Sequence, residues 1–170
     1  SITGAITATT SNIVIGPVTA GSFTTAAEIT GISNLTVTNG VFVNNFAALN
    51  VANAVSIGAS GILRLNKILT GTATLNNAGN LFINVDNGLS ITGAVTNGGT
   101  ITVTDGATFV QPTTFTSSGV TTLTGTGSIS GSYVTGNAST LNINGSGSVN
   151  GAYTAGNNAT ITLTGSGGIT

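Results

Sequence analysis

The side chains able to ionise are few and scattered: Glu28, Arg64, Lys67, Asp86 and Asp105. Proton transfer in catalysis needs a titrating group within hydrogen-bond reach of the reacting atom, most often His, while thiol nucleophiles and zinc sites need Cys or His. The chain has neither His nor Cys. Its three carboxylates stand alone, and Asp86-Asn87-Gly88 and Asp105-Gly106 read as corners. There an Asx side chain bonds its own backbone and the next residue tolerates positive φ. A calcium-binding β-roll wants an Asp in every Gly-rich nonapeptide, and only these two corners carry one. No catalytic, cofactor-binding or metal-ligating residue is nominated, and the chain reads as non-enzymatic with no cofactor.

The two cations flank Leu65. Arg64 and Lys67 are read as a solvated face, since an exposed ion pair is worth only about 0 to 1 kcal/mol. Four Asn-X-Ser/Thr triplets begin at Asn34, Asn137, Asn144 and Asn158. In a chain so rich in Asn, Ser and Thr they are expected by accident, and glycosylation at them is left open. Charged residues make up 3% of the chain, against about 25% in an ordinary soluble protein. A net charge of -1 with no basic cluster speaks against nucleic-acid binding. It also removes the repulsion that keeps copies apart, so self-association, end to end or lateral, is the expected partnership.

The elements that position these groups follow from a repeat. Residues 129–148 (ISGSYVTGNASTLNINGSGS) and 149–168 (VNGAYTAGNNATITLTGSGG) are one twenty-residue phrase written twice. They match at Gly131 and Gly151, Tyr133 and Tyr153, Leu141 and Ile161, Ile143 and Leu163, and Gly145-Ser146-Gly147 with Gly165-Ser166-Gly167. Such self-similarity marks a stacked-coil architecture, where one unit buries its apolar face only against a neighbour. Upstream, inward positions recur at Leu63, Leu81, Ile101, Thr121, Leu141 and Ile161, a first step of 18 residues and then 20 four times. Each is the start of an apolar-polar-apolar tripeptide, apart from Leu81-Phe82-Ile83 and from Thr121 paired with Leu123. On a strand that pattern sends two side chains to one face and one to the other. Helical spacing is absent, and Thr, Val, Ile and Gly are poor helix formers.

The predicted fold is all-β, a parallel β-solenoid (β-helix) with about 20 residues per coil. It forms one domain over 1–170, with irregular coils in 1–60 and regular ones in 61–170. Strands at about 4.8 Å spacing give roughly eight coils and a rod on the order of 40 Å long. An antiparallel sandwich or barrel is the runner-up, because Asn39-Gly40, Asn87-Gly88, Asn97-Gly98, Asp105-Gly106, Asn144-Gly145 and Asn150-Gly151 would serve as hairpin turns as well as corners. In 28–57 the alternating pairs Leu35/Val37, Val41/Val43, Leu49/Val51 and Val55/Ile57 come too fast for a register to be assigned. Near the start, Ile2-Thr-Gly-Ala-Ile6 repeats the phrase, and Gly16-Pro17 ends a short strand through Ile13 and Ile15.

Composition sets aside two further classes. A hydrophobic content of 39% with regular Val, Ile and Leu spacing excludes disorder. No run of about twenty apolar residues exists for a membrane helix, and two Tyr without Trp make no barrel girdle. Absence of Cys is compatible with export. Ser1 reads as a processed terminus or the edge of a fragment, with no signal peptide in view.

Phrases such as Asn34-Leu-Thr-Val-Thr-Asn-Gly40, Asn77-Ala-Gly-Asn-Leu81 and Asn97-Gly-Gly-Thr-Ile-Thr-Val103, in a cysteine-free, charge-poor chain, resemble the passenger regions of bacterial autotransporters and filamentous-haemagglutinin-type exoproteins. The resemblance covers most of the chain and is one of composition and period. It implies a right-handed parallel β-helix, exported to or released from a bacterial surface and used in adhesion or as a structural filament. No translocating barrel is read within residues 1–170, and the charge content is low even for such passengers. The expectation is an extracellular structural solenoid assembling end-on into a filament or surface layer. The alternatives are an adhesin passenger binding cell-surface glycans, or an ice binder using the outward column Thr102/Thr104, Thr122/Thr124, Asn142/Asn144 and Thr162/Thr164. Arg64 and Phe82 interrupt that column in earlier coils. Tyr133 and Tyr153, one coil apart, are expected to stack.

Overall fold

The computed structural model describes residues 6–16, 22–25 and 28–170. Among them there is no helix, and parallel strands stack as a β-solenoid of about eight turns with about 20 residues per turn. The period arises because each coil spends three short segments that alternate inward and outward on strands and the residues between them on corners. In 69–88 the strands are Leu69–Gly71, Thr74–Asn77 and Asn80–Ile83. In 89–108 they are Leu89–Ile91, Val95–Asn97 and Thr100–Val103.

Three stacks of strands result. The first carries Leu49, Leu69, Leu89, Phe109, Ile129 and Val149 in direct register. In the second, Val55, Leu75, Val95, Phe115, Tyr133 and Tyr153 align. The third runs through Leu63, Leu81, Ile101, Thr121, Leu141 and Ile161, the column read from the sequence. Alternation turns these side chains into a shared interior, where Leu63, Leu81, Ile101 and Leu141 are fully buried. Each buried aliphatic side chain contributes about 1.5 to 3 kcal/mol, which offsets the entropy of ordering a Gly- and Ser-rich backbone.

The register that could not be read over 28–57 is set by two long bent strands, Ile29–Asn44 and Leu49–Leu65. Their pairing slips at bulges between Ile32 and Asn34 and between Val37 and Asn39. The second slip ends at Gly40, whose φ is 91°. A shift of one residue exchanges the two faces. Val41 and Val43 therefore point outward beside Ile62 and Arg64, while Phe42 and Asn44 fill the interior. Leu35/Val37, Leu49/Val51 and Val55/Ile57 are inward. The Ile2–Gly4 phrase and Pro17 lie outside the described residues; the strand through Ile13 and Ile15 spans Ile6–Ile15.

The corners divide by chemistry. Gly106, Gly145 and Gly151 take positive φ, as the Asx-Gly steps imply. At Asn87-Gly88 it is Asn87 that takes it, at 52°. Asn97-Gly98 is not a left-handed corner: Asn97 is only 2% exposed and lies inside the coil. Beneath it Asn77 Nδ2 donates to Asn97 Oδ1 at 2.8 Å and to the Thr100 carbonyl at 2.9 Å. Asn97 Nδ2 repeats the pattern to Ser117 Oγ at 3.0 Å and the Val120 carbonyl at 3.1 Å. A buried amide bonded both to the next rung and to the backbone bridges two coils and satisfies carbonyls that the bend leaves over.

Candidate functional site: the outer columns and the C-terminal rung

The outer face of the third stack is built from residues alternating with its buried column. Arg64, Phe82, Thr102, Thr122, Asn142 and Thr162 follow one another in register. The guanidinium of Arg64 lies 4.1 Å from the Phe82 ring centre, a cation–π contact one coil long that places the cation on a neighbour of the same column. Downstream the column is hydroxyl and amide. Asn142 Nδ2 reaches Thr122 Oγ1 at 3.5 Å. Thr104 and Thr124 turn their hydroxyls back onto the carbonyls of Ile83, at 3.1 Å, and Val103, at 3.5 Å. The uncharged outer face seen in the sequence is therefore one continuous surface, interrupted at its N-terminal end by Arg64 and Phe82.

The carboxylates serve as corner fastenings. Asp105 Oδ1 accepts from Thr126 N and from Thr126 Oγ1, both at 2.8 Å, and Thr126 Oγ1 accepts from Gly106 N at 2.9 Å. The backbone and hydroxyl of Thr126, chiefly, hold the Asp105 carboxyl below its ordinary value of 3.8. Asp86 Oδ1 accepts from the Asn87 backbone N at 3.0 Å, one residue on rather than the two of the Asx turn that the sequence implied. Among the described residues no three of His, Cys, Asp or Glu gather closely enough to hold a metal ion. Of the Asn-X-Ser/Thr positions, Asn137 and Asn158 are exposed on corners, and Asn144 is exposed on the strand Thr140–Gly145. Asn34 is half-buried, its amide bonded to Asn12 Oδ1 at 2.7 Å.

An aromatic file crosses the interior toward the C-terminal end. Phe115 and Tyr133 stack at 4.5 Å with 7° between their planes. Tyr133 and Tyr153 instead meet edge to face, at 5.6 Å and 66°. The expected face-to-face tyrosine pair is thus corrected. The Tyr153 hydroxyl is tied to Thr135 Oγ1 at 3.1 Å, which turns the ring away from parallel. The Tyr133 hydroxyl is buried without a hydrogen-bond partner. Burial pushes this phenol up to about 12, although the hydroxyls of Thr121 and Ser117 sit on its side and partly oppose that shift. Neither reaches bonding geometry, so the desolvation dominates.

The last described rung repeats the one beneath it. Leu141, Ile143 and Val149 are 0%, 1% and 0% exposed, whereas their register partners Ile161, Leu163 and Ile169 are 41%, 54% and 36% exposed. All five residues of Thr160–Thr164 are exposed. Thr160 N donates down to the Ser139 carbonyl at 2.8 Å. By strand alternation the amide and carbonyl groups of Ile161 and Leu163 therefore point away from the coil below. The separate exposures and the direction of these backbone groups needed the structure. Sequence reading missed the interior amide file, whose signal was Asn at an otherwise apolar inward position, and the half-buried Val41, Val43 and Ile62 on the outside.

The architecture defined by these contacts is a parallel β-solenoid, compatible with a β-helix passenger. Comparison with family models, with curated proteins and with solved structures finds no match.

Proposed function

We propose that this chain is a non-enzymatic structural solenoid, exported in the manner of autotransporter or filamentous-haemagglutinin-type passengers, whose copies join through their ends into a filament or surface layer. The observation that supports the reading is the stack of nearly equivalent layers: coil lies on coil in direct register through Leu63, Leu81, Ile101 and Leu141, all fully buried, and a repeat of this kind can accept a further like layer. From Gly106 onward the chain has no formal charge to oppose the approach. Light scattering across protein concentration, with negative-stain microscopy, tests it: elongated assemblies are expected, and a monodisperse monomer up to high concentration would count decisively against it.

The threonine-rich outer columns favour a second reading, an adhesive or ice-ordering plane. Thr102, Thr122 and Thr162 with Asn142 present uncharged hydroxyls and amides at the strand repeat. Thermal hysteresis and glycan-array binding separate it from a building block. A response that vanishes with Thr122→Lys would select the plane.

A further inference from the structure

We infer that the junction between coils 109–128 and 129–148 is a seam: the solenoid divides there into two cooperative units, and the coils from 129 onward open together while 61–128 stays closed. Side chains tie the two adjacent junctions more firmly. Across the one before, Asn97 Nδ2 bonds Ser117 Oγ and the Val120 carbonyl, Gln111 Nε2 and Thr113 Oγ1 reach the Gly93 carbonyl at 2.9 and 3.2 Å, and Thr126 holds Asp105. Across the one after, Thr135 Oγ1 meets the Tyr153 hydroxyl at 3.1 Å and accepts from Gly156 N at 3.3 Å, and Asn137 Oδ1 accepts from Asn157 N at 3.0 Å. Between 109–128 and 129–148, among the described residues, the one side-chain hydrogen bond runs from Asn142 Nδ2 to Thr122 Oγ1, long at 3.5 Å and on the outer face.

The interior is interrupted at the same place. The polar file that runs from Asn77 through Asn97 ends at Ser117. Thr135, the register partner of Ser117, turns its hydroxyl the other way, toward Tyr153 and the Thr154 carbonyl. Ser117 bonds within its own coil instead, to Thr121 Oγ1 at 3.3 Å. Thr121 in turn stands where the third stack otherwise carries leucine or isoleucine from Leu63 to Ile161. Among the described residues three buried side-chain atoms lack a hydrogen-bond partner, and two of them belong to the coils that meet here: Gln111 Oε1 on one side and the Tyr133 hydroxyl on the other. The third, Asn77 Oδ1, is on an amide whose Nδ2 makes two bonds into the next coil. Two stranded polar atoms cost more than one stacked aromatic pair returns, so the 4.5 Å contact of Phe115 with Tyr133 does not compensate for them.

Corner lengths change across the seam as well. Residues 112–114 lie against Ser132 alone, and 118–119 against 136–139, so at both corners part of the backbone leaves the ladder. A change of length occurs also between coils 49–68 and 69–88, where 58–61 lie against 78–79. That junction is aliphatic inside, with Val55 on Leu75 and Leu63 on Leu81, and Asn84 Nδ2 ties it outside to Asn66 Oδ1 at 2.8 Å. The seam between 109–128 and 129–148 is left to its strand ladder, chiefly Val120–Gly125 on Thr140–Gly145. In a stack of repeats stability is a sum of layer and junction contributions, and the weakest interior junction sets where the stack parts. Everything on the far side of it then loses protection in one step, in contrast to fraying coil by coil.

Because the chain has no Cys, a single disulfide can be placed across a chosen junction. Thr122 and Asn142 are register partners across the seam, and Thr102 and Thr122 across the junction before it. Neighbouring strands set such Cα atoms about 4.8 Å apart, within disulfide range. Hydrogen exchange of the full chain in dilute solution, read by mass spectrometry, is the measurement. In the unmodified chain the amides from 129 onward should exchange together and on the order of tenfold faster than those of 61–128, the factor that corresponds to one stranded buried polar group. Oxidised Thr122→Cys with Asn142→Cys should erase that step, whereas oxidised Thr102→Cys with Thr122→Cys should leave it in place. Protection that declines evenly from coil to coil in the unmodified chain, or a step at another junction, would overturn the seam. So would a step that survives the crosslink between 122 and 142.

Discussion

At the scale of residues, the solenoid depends on side chains that bridge coils. Asn97 donates and accepts through one amide and joins three successive rungs with Asn77 and Ser117. Asn97→Ala leaves the Asn77 amide and the Val120 carbonyl short of a buried partner. It should cost about 2 kcal/mol in urea unfolding, the range for stranding a buried polar group. Tyr133→Phe goes the other way, because its hydroxyl is buried with no partner: the change should be neutral or stabilising by up to about 1 kcal/mol. The raised phenol pKa also fixes a pH response. Between its ordinary 10.0 and about 12 the unfolded chain loses this proton and the folded one keeps it. Stability is then fully present below pH 10.0 and falls as pH rises toward about 12. Thermal melts over that window should show a smaller decline in the Phe variant. Asp105 is the acid counterpart. Its folded pKa lies below 3.8, so its fastening is in force above that pH and is lost as pH falls through the lower folded value. Asp105→Asn should flatten that part of the melting profile.

At the scale of the elements, the regular coils are held in phase by corners as much as by strands. The glycines over one another at Gly127, Gly147 and Gly167 leave no room for a β-carbon. Gly147→Ala should destabilise the C-terminal coils by at least about 1 kcal/mol, read as earlier loss of hydrogen-exchange protection in 128–168 than in 61–100. Periodicity made the third stack legible, since Leu63 through Ile161 recur with little variation. It failed between Ile29 and Ile57, where aliphatic residues occupy both faces and two bulges change the phase. Val41, Phe42 and Val43 are all good strand formers, so local preference could not choose which of them faced inward. Phe42 won because Leu63 and Phe23 flank that position in register, and its ring stacks on Phe23 at 5.3 Å. The Asn97-Gly98 step misled for a related reason: an Asn-Gly pair serves at a corner in most of the repeats, and only the neighbouring amides at 77 and the hydroxyl at 117 reveal an interior file.

At the scale of the whole molecule, the chain is a column of nearly equivalent layers, and a layer is satisfied only when another lies on it. Lys substituted at Ile161 or Leu163 should leave the fold intact, since both sites are largely exposed, yet reduce concentration-dependent scattering to that of a monomer. If association instead runs through the outer columns, those variants will scatter like the parent and Thr122→Lys will not. The two surfaces are on different faces of the rod, so their effects should add independently.

The repeat, the inward aliphatic column, the near absence of charge and the lack of His and Cys were determined by the sequence alone, because each follows from residue type and spacing. Which way the backbone groups of Ile161 and Leu163 point, which of Val41, Phe42 and Val43 is buried, and how the two tyrosines meet were decided by the tertiary structure. Those properties depend on what lies one coil above or below, roughly twenty residues away along the chain, and a bulge or a single hydrogen bond at that distance is enough to turn a face over.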